Sequence, residues 1–145
     1  MRATLIAVFV LAGAVALGAH VTVSPRESLA GATQRYTMRV PTEGQVATAS
    51  VELEVPAGVT ITEVVPGDGY TFDTKREGDR IVAVTWKKDI PPKMIGEFVF
   101  VARNPAAGPI AWKARQRFAD GTSADWIGVA GDRRPASVTQ LTAAR

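Results

Sequence analysis

The chain has 145 residues, 46% hydrophobic and 21% charged, with a formal net charge of +3 and no cysteine. Those figures suit one folded domain with a sizeable core, and they exclude wholesale disorder, a collagen-like or coiled-coil chain, a disulfide framework, thiolate metal sites and a catalytic thiol. A single histidine, His20, removes every site that needs two imidazoles and allows a Ser-His-Asp arrangement only if that one residue serves.

The segment before His20 reads as a leader. Met1 to Thr4 carry one positive charge, Arg2, and Leu5 to Leu17 form an uncharged apolar run followed by Gly18 and Ala19. That run falls short of the roughly 20 residues a bilayer-spanning helix needs, so residues 1–19 are expected to be a secretory signal peptide. Residues 20–145 are then a single exported domain, periplasmic or extracellular, with no membrane anchor after cleavage. Two cut points are open. Cleavage after Ala19 puts His20 first. Cleavage after Gly18 better suits the preference for small residues at the last and third-last positions, and leaves Ala19 ahead of His20. The basic residues of the remaining chain, such as Arg26, Arg39, Lys75 and Lys88, are scattered among acids rather than gathered in a stripe, so nucleic acid is not an expected partner.

From His20 onward the pattern is period-two alternation broken by turn residues every eight to twelve positions, which predicts an all-β fold. His20 to Ser24 alternates until Pro25. Gln34 to Val40 places Tyr36, Met38 and Val40 on one face and Arg35, Thr37 and Arg39 on the other. Val51 to Val55 repeats the pattern before Pro56-Ala57-Gly58, and Val59 to Val65 precedes Pro66-Gly67-Asp68-Gly69. Tyr70 to Lys75 and Arg80 to Trp86 read as a hairpin across Arg76-Glu77-Gly78-Asp79. Further strands are expected over Phe98 to Val101, Ile110 to Phe118, Ser123 to Ile127 and Ser137 to Leu141. Seven to nine strands closing a two-sheet β-sandwich is the simplest architecture.

The N-terminus carries the chemistry. Cleavage before His20 exposes its α-amine, and a terminal histidine offers a metal two nitrogens in one chelate, the amine and ring Nδ1. That suits a divalent ion preferring a tetragonal field of nitrogen and oxygen, above all Cu(II). On position alone the ring equally reads as the start of an exposed strand or as a neighbour of some carboxylate.

Several blocks in order resemble one family: His20-Val21-Thr22-Val23-Ser24-Pro25, Tyr36-Thr37-Met38-Arg39-Val40-Pro41-Thr42-Glu43, Phe98-Val99-Phe100-Val101-Ala102-Arg103-Asn104-Pro105, and Phe118-Ala119-Asp120-Gly121 with Trp126-Ile127-Gly128. They are similar to the YcnI-type copper-binding proteins. The resemblance implies a cupredoxin-like or immunoglobulin-like sandwich outside the cytoplasmic membrane that binds one Cu(II) through a mono-histidine brace. It assigns the amine and imidazole to His20, the carboxylate to Glu43 and a tryptophan beside the metal to Trp126. The implied role is copper handling, as a metallochaperone or accessory in acquisition or tolerance. A copper transporter or another exported copper protein is the implied partner.

Residue by residue, Glu43 follows a strand that ends at Pro41, where a loop carboxylate can complete a charge-compensated site. Without the resemblance it reads as a solvated loop residue. Glu52 and Glu54 are its rivals, but they alternate with Val51, Leu53 and Val55 and so belong on a wet face. Trp126 stands among small and polar residues, unlike Trp86 and Trp112, which sit within apolar alternation and belong in the core. Its indole offers only a donor N–H, so it is expected either to cover an axial face of the metal or simply to pack. No enzyme is expected: an oxidative copper enzyme needs a second histidine, and an electron carrier of the blue-copper type needs cysteine. The alternative is a metal-free secreted sandwich acting as an interaction or adhesion module.

Overall fold

Alternating apolar residues become the inner faces of packed sheets in the computed structural model, which describes residues 20–144. The expected leader over residues 1–19 and its cleavage point lie outside the described residues. The strands in chain order are β1 (Thr22–Ser24), β2 (Glu27–Leu29), β3 (Thr33–Pro41), β4 (Thr48–Glu54), β5 (Thr60–Val64), β6 (Thr71–Glu77), β7 (Arg80–Ile90), β8 (Ile95–Arg103), β9 (Ile110–Trp112), β10 (Ala114–Phe118), β11 (Ser123–Trp126) and β12 (Ser137–Thr142). Two sheets form the main layers, in the orders β1-β3-β8-β5 and β11-β10-β4-β7-β6, and a third, smaller sheet runs β2-β12-β9.

Twelve strands among the described residues exceed the expected seven to nine, for two physical reasons. Glu27–Leu29 is too short to show a period, and only its parallel pairing with β12 makes it a strand. The expected single strand from Ile110 to Phe118 changes partners at Lys113: β9 pairs with β12, whereas β10 pairs with β4 and β11. Side-chain alternation runs unbroken through that switch, with Ile110, Trp112, Ala114 and Gln116 buried and Ala111, Lys113 and Arg115 exposed. The period therefore carries no trace of the change of sheet.

The core is the set of inward positions the alternation selects. Tyr36, Met38 and Val40 of β3 and Val51 and Leu53 of β4 are fully buried, as are Trp86, Phe98, Phe100 and Trp112. Their rings interlock: Tyr36 lies 4.9 Å from Trp112, Phe100 lies 5.4 Å from Trp112, and Trp86 lies 5.4 Å from Phe98, centroid to centroid. Burial of each such side chain contributes roughly 1.5–3 kcal/mol. The β6–β7 hairpin turns at Gly78-Asp79, with Glu77 paired to Arg80 and Gly78 at φ +60°, a value that favours glycine at the first turn position.

β1 is an edge strand of one main sheet and β11 an edge strand of the other. β12 closes part of the β1 edge, where Ser137 Oγ accepts from Val23 N at 2.9 Å and donates to Val23 O at 3.3 Å. The stretch just ahead of β1 remains beside β11, and His20 sits there.

Candidate metal centre

His20 enters the fold immediately before β1, and its exposed ring lies 5.4 Å from that of Trp126 at the end of β11, tilted by 53°. Glu43 stands in the loop that follows β3. Val40, Pro41 and Thr42 are buried ahead of it, and its own side chain is exposed. Thr42 fixes the base of that loop: its N–H donates to Met94 O at 3.0 Å, and its carbonyl accepts from Lys93 N at 2.7 Å. His20, Glu43 and Trp126 line one surface cleft of about 490 Å³ together with Pro41, Gly44, Gln116, Phe118, Ala124, Arg133 and Arg134. Three residues far apart in the chain thus share one cavity because two edge strands and the end of β3 meet there.

Glu52 and Glu54 do not share it. They line a different depression with Lys75, Glu77 and Arg115, on the outer face opposite Val51 and Leu53. Trp86 and Trp112 are core residues, as their alternation predicts, and Trp126 is 8% exposed. Trp126 therefore packs, and one side of it borders the cleft.

Behind the cleft lies a buried polar relay that alternation alone does not reveal. Trp126 Nε1–H donates to Gln116 Oε1 at 3.1 Å. Gln116 Nε2 donates to Pro41 O at 2.9 Å and to Thr48 Oγ1 at 2.8 Å. Thr42 Oγ1 lies 2.6 Å from Thr48 Oγ1 and donates to Ile90 O at 2.9 Å. An indole can only donate and a carbonyl can only accept, so the Gln116 amide has one possible orientation and Thr48 must donate to Thr42. Every side-chain donor in the relay is used, and all point the same way, an arrangement in which each bond polarises the next. Gln116 is 2% exposed on the inward register of β10. A polar residue at that register is the signal available in the sequence, since a buried polar group is the informative exception to alternation.

The β10–β11 turn, which follows Phe118 at the end of the strand pair opposite Trp126, has its own fastener. Asp120 Oδ1 accepts from Thr122 Oγ1 at 2.6 Å and from Thr122 N at 3.0 Å, and these bonds hold its carboxyl below the ordinary value of 3.8. On the far side of the cleft, residues 127–136 form a compact loop. Gly128 N donates to Arg134 O at 2.9 Å and Ala136 N to Gly128 O at 2.9 Å. Gly128 is required there, because a Cβ would lie 2.6 Å from Asp132 Oδ2 and 3.0 Å from Arg134 O.

No group of three or more His, Cys, Asp or Glu side chains gathers among the described residues. The side chains in the cleft that could hold a metal are one imidazole and one carboxylate, and the α-amine of His20 would add a third donor once the chain begins there. Two neutral nitrogens and one anionic oxygen fit a tetragonal divalent ion and fit poorly a hard ion such as Ca²⁺, which takes six to eight oxygens.

A family model described as "Domain of unknown function (DUF1775)" matches residues 20–141. The copper-binding protein CutI of Bacillus subtilis (strain 168) is 37% identical over 131 residues, which cover 88% of this chain and 64% of that protein, so the chain spans just under two thirds of that relative's length. The resemblance to the YcnI-type copper-binding proteins is thereby borne out at the level of the family. Among solved structures, an uncharacterized protein from Nocardia farcinica with an immunoglobulin-like fold superposes with a TM-score of 0.74 at 28% identity, over 85% of this chain and 99% of that one. A cohesin module from a Clostridium perfringens family 33 glycoside hydrolase superposes with a TM-score of 0.54 at 15% identity, over 86% of this chain and 96% of that one, and shares the fold alone. The all-β sandwich read from alternation is thus immunoglobulin-like.

Proposed function

The chain belongs to the family described as Domain of unknown function (DUF1775), and from that premise we propose that it is an exported protein that binds one Cu(II) ion and handles it as a metallochaperone or accessory in copper acquisition or tolerance. The observation that carries the reading is the shared cleft: His20, Glu43 and Trp126 line one cavity. Removal of residues 1–19 supplies the α-amine that pairs with the His20 ring. Glu43 adds the anionic oxygen from a loop anchored at Thr42. Trp126, its N–H held by Gln116, has its ring against the imidazole and restricts access of water and reductants from that side.

Copper here is cargo. Carriage rather than catalysis suits a site with one imidazole and no second histidine in the chain, and the name of the Bacillus subtilis relative supports copper as the metal. Export to the periplasm or the exterior rests on the apolar leader ahead of His20. A copper transporter or another exported copper protein is the partner class that a carrier implies.

The first experiment is intact mass spectrometry of the exported protein with and without one equivalent of Cu(II). A mass beginning at His20 with one retained copper is the expected result. A mass beginning at Ala19 replaces the brace by a planar site that includes a deprotonated amide, and no retained copper leaves a metal-free interaction module. His20→Ala should abolish stoichiometric binding, a loss greater than the roughly 10–100-fold that supporting partners of a ligand typically cost. Glu43→Ala should weaken binding and leave the stoichiometry at one. Unchanged affinity in the His20 variant would overturn the site.

A further inference from the structure

We propose that Arg133 and Arg134 form an oxyanion subsite in the wall of the cleft, holding a phosphate or carboxylate group beside the metal position. The inference rests on the copper reading of the same cleft. Both arginines line the cavity that His20 and Glu43 line, and both are exposed. The ion pairs among the described residues are Arg39 with Glu97 and Lys87 with Asp73, so neither cleft arginine is neutralised by a described acid. The acid closest in sequence, Asp132, is turned away to its own loop: its Oδ2 accepts from Val129 N at 2.9 Å.

That loop gives the arginines fixed backbones. Gly128 bridges to Pro135 and exchanges hydrogen bonds with Arg134 and Ala136 across the loop neck, Asp132 N donates to Val129 O at 3.1 Å, and Gly131 turns the tip at φ +92°. The charge balance then calls for an anion. Glu43 is the one carboxylate among the residues lining the cleft, and a Cu(II) ion would add two positive charges to those of the two guanidiniums. A divalent ion beside two unpaired cations is disfavoured unless a negative group from outside joins them. Planar guanidiniums recognise oxyanions through paired N–H donors, and a tetragonal ion bound by two nitrogens and one oxygen has a position left for an oxygen ligand. The oxyanion could be supplied by a free small anion or by an acidic side chain of a docking protein, and in either case the chemistry at the arginines is the same.

The test uses the protein starting at His20, loaded with one equivalent of Cu(II) and, in parallel, metal-free. Inorganic phosphate and a short peptide carrying a single glutamate are titrated separately and followed by calorimetry, with paramagnetic broadening of the phosphorus resonance by Cu(II) reporting proximity to the metal. Saturable phosphate binding with strong broadening supports the subsite and identifies a free anion as its ligand. Saturation by the peptide alone supports it and identifies an acidic side chain. In an Arg133→Ala, Arg134→Ala double variant the affinity for that probe should fall roughly tenfold or more, the loss expected for a charge-assisted hydrogen bond, with copper stoichiometry unchanged. Saturation by neither probe, or equal affinity in the double variant, overturns the subsite while copper binding stands. Arginine-dependent phosphate binding in a protein that retains no copper overturns the copper reading instead.

Discussion

The two ends of the sandwich carry buried polar networks of similar chemistry and opposite design. At the end away from the cleft, Tyr36 O–H donates to Asn104 Oδ1 at 2.6 Å, and Asn104 Nδ2 donates to Ser28 Oγ and Leu29 O, each at 2.9 Å. Asn104 N also donates to Ala32 O at 2.8 Å, so the β2–β3 connection is tied to the end of β8. At its centre Tyr36 is fully buried, and burial pushes its phenol above the ordinary 10.0. At the cleft end, the relay from Ile90 through Thr42, Thr48 and Gln116 finishes on Trp126, whose ring faces His20. The first network fastens loops to the core, and the second holds Trp126, at the border of the cleft, in place beside chemistry-bearing neighbours. Bonds of the same kind close loops at one end of the sandwich and mount the cleft-bordering Trp126 ring at the other.

Removing the hub of each network separates the two designs. Asn104→Ala takes from the buried Tyr36 hydroxyl its Asn104 acceptor and from the Leu29 carbonyl one of its two donors, and should cost about 2–3 kcal/mol in urea unfolding. Copper affinity should not change, because no residue of that network lines the cleft. Gln116→Leu leaves the buried Trp126 N–H without its acceptor and the Pro41 carbonyl without the Gln116 donor, and should cost about 1–3 kcal/mol. It should also weaken Cu(II) binding by roughly tenfold, because Gln116 holds Pro41 O at the base of the Glu43 loop, a bond that Trp126→Phe leaves in place. Equal copper affinity in the Gln116 and Asn104 variants would reduce both networks to fasteners.

Trp126→Phe separates the mount from what it carries. Phenylalanine keeps an aromatic ring in the pocket but cannot bond Gln116 Oε1, so stability should fall by about 1 kcal/mol. Copper affinity should stay largely intact, since neither ring is a ligand, whereas reduction of bound Cu(II) by ascorbate in stopped flow should change in rate. An unchanged reduction rate would assign Trp126 to packing alone.

The sequence shows the sandwich more fully than the site. Tyr36, Met38 and Val40, or Val51 and Leu53, announce their burial because alternation is local and each strand repeats it. The split at Lys113 is silent because a change of hydrogen-bond partner leaves the side-chain period intact. His20, Glu43 and Trp126 are readable as a set only through resemblance, since a lone histidine, a loop glutamate and an edge tryptophan have no spacing that links them. The cleft that joins them is a product of sheet order. Gln116 is visible as a polar residue on an inward register, but its partners at Pro41, Thr48 and Trp126 come from three other segments. Arg133 and Arg134 look like solvated loop residues until the Gly128 clamp sets their loop against the cleft.

The smallest effect concerns the β10–β11 turn, at the end of the strand pair opposite Trp126. Asp120 accepts two bonds from Thr122 and is fully exposed, so its contribution is screened by water. Because those bonds favour the carboxylate, its folded pKa lies below the ordinary 3.8, and the stability it adds is present above that value and lost as pH falls through the lower folded value. Asp120→Asn retains an acceptor of the same shape without the charge. Wild type should therefore exceed the variant by a small margin in urea midpoint near neutrality, and the two should converge as pH drops below about 4. A margin that grows on acidification would mean that the charge at this turn opposes folding.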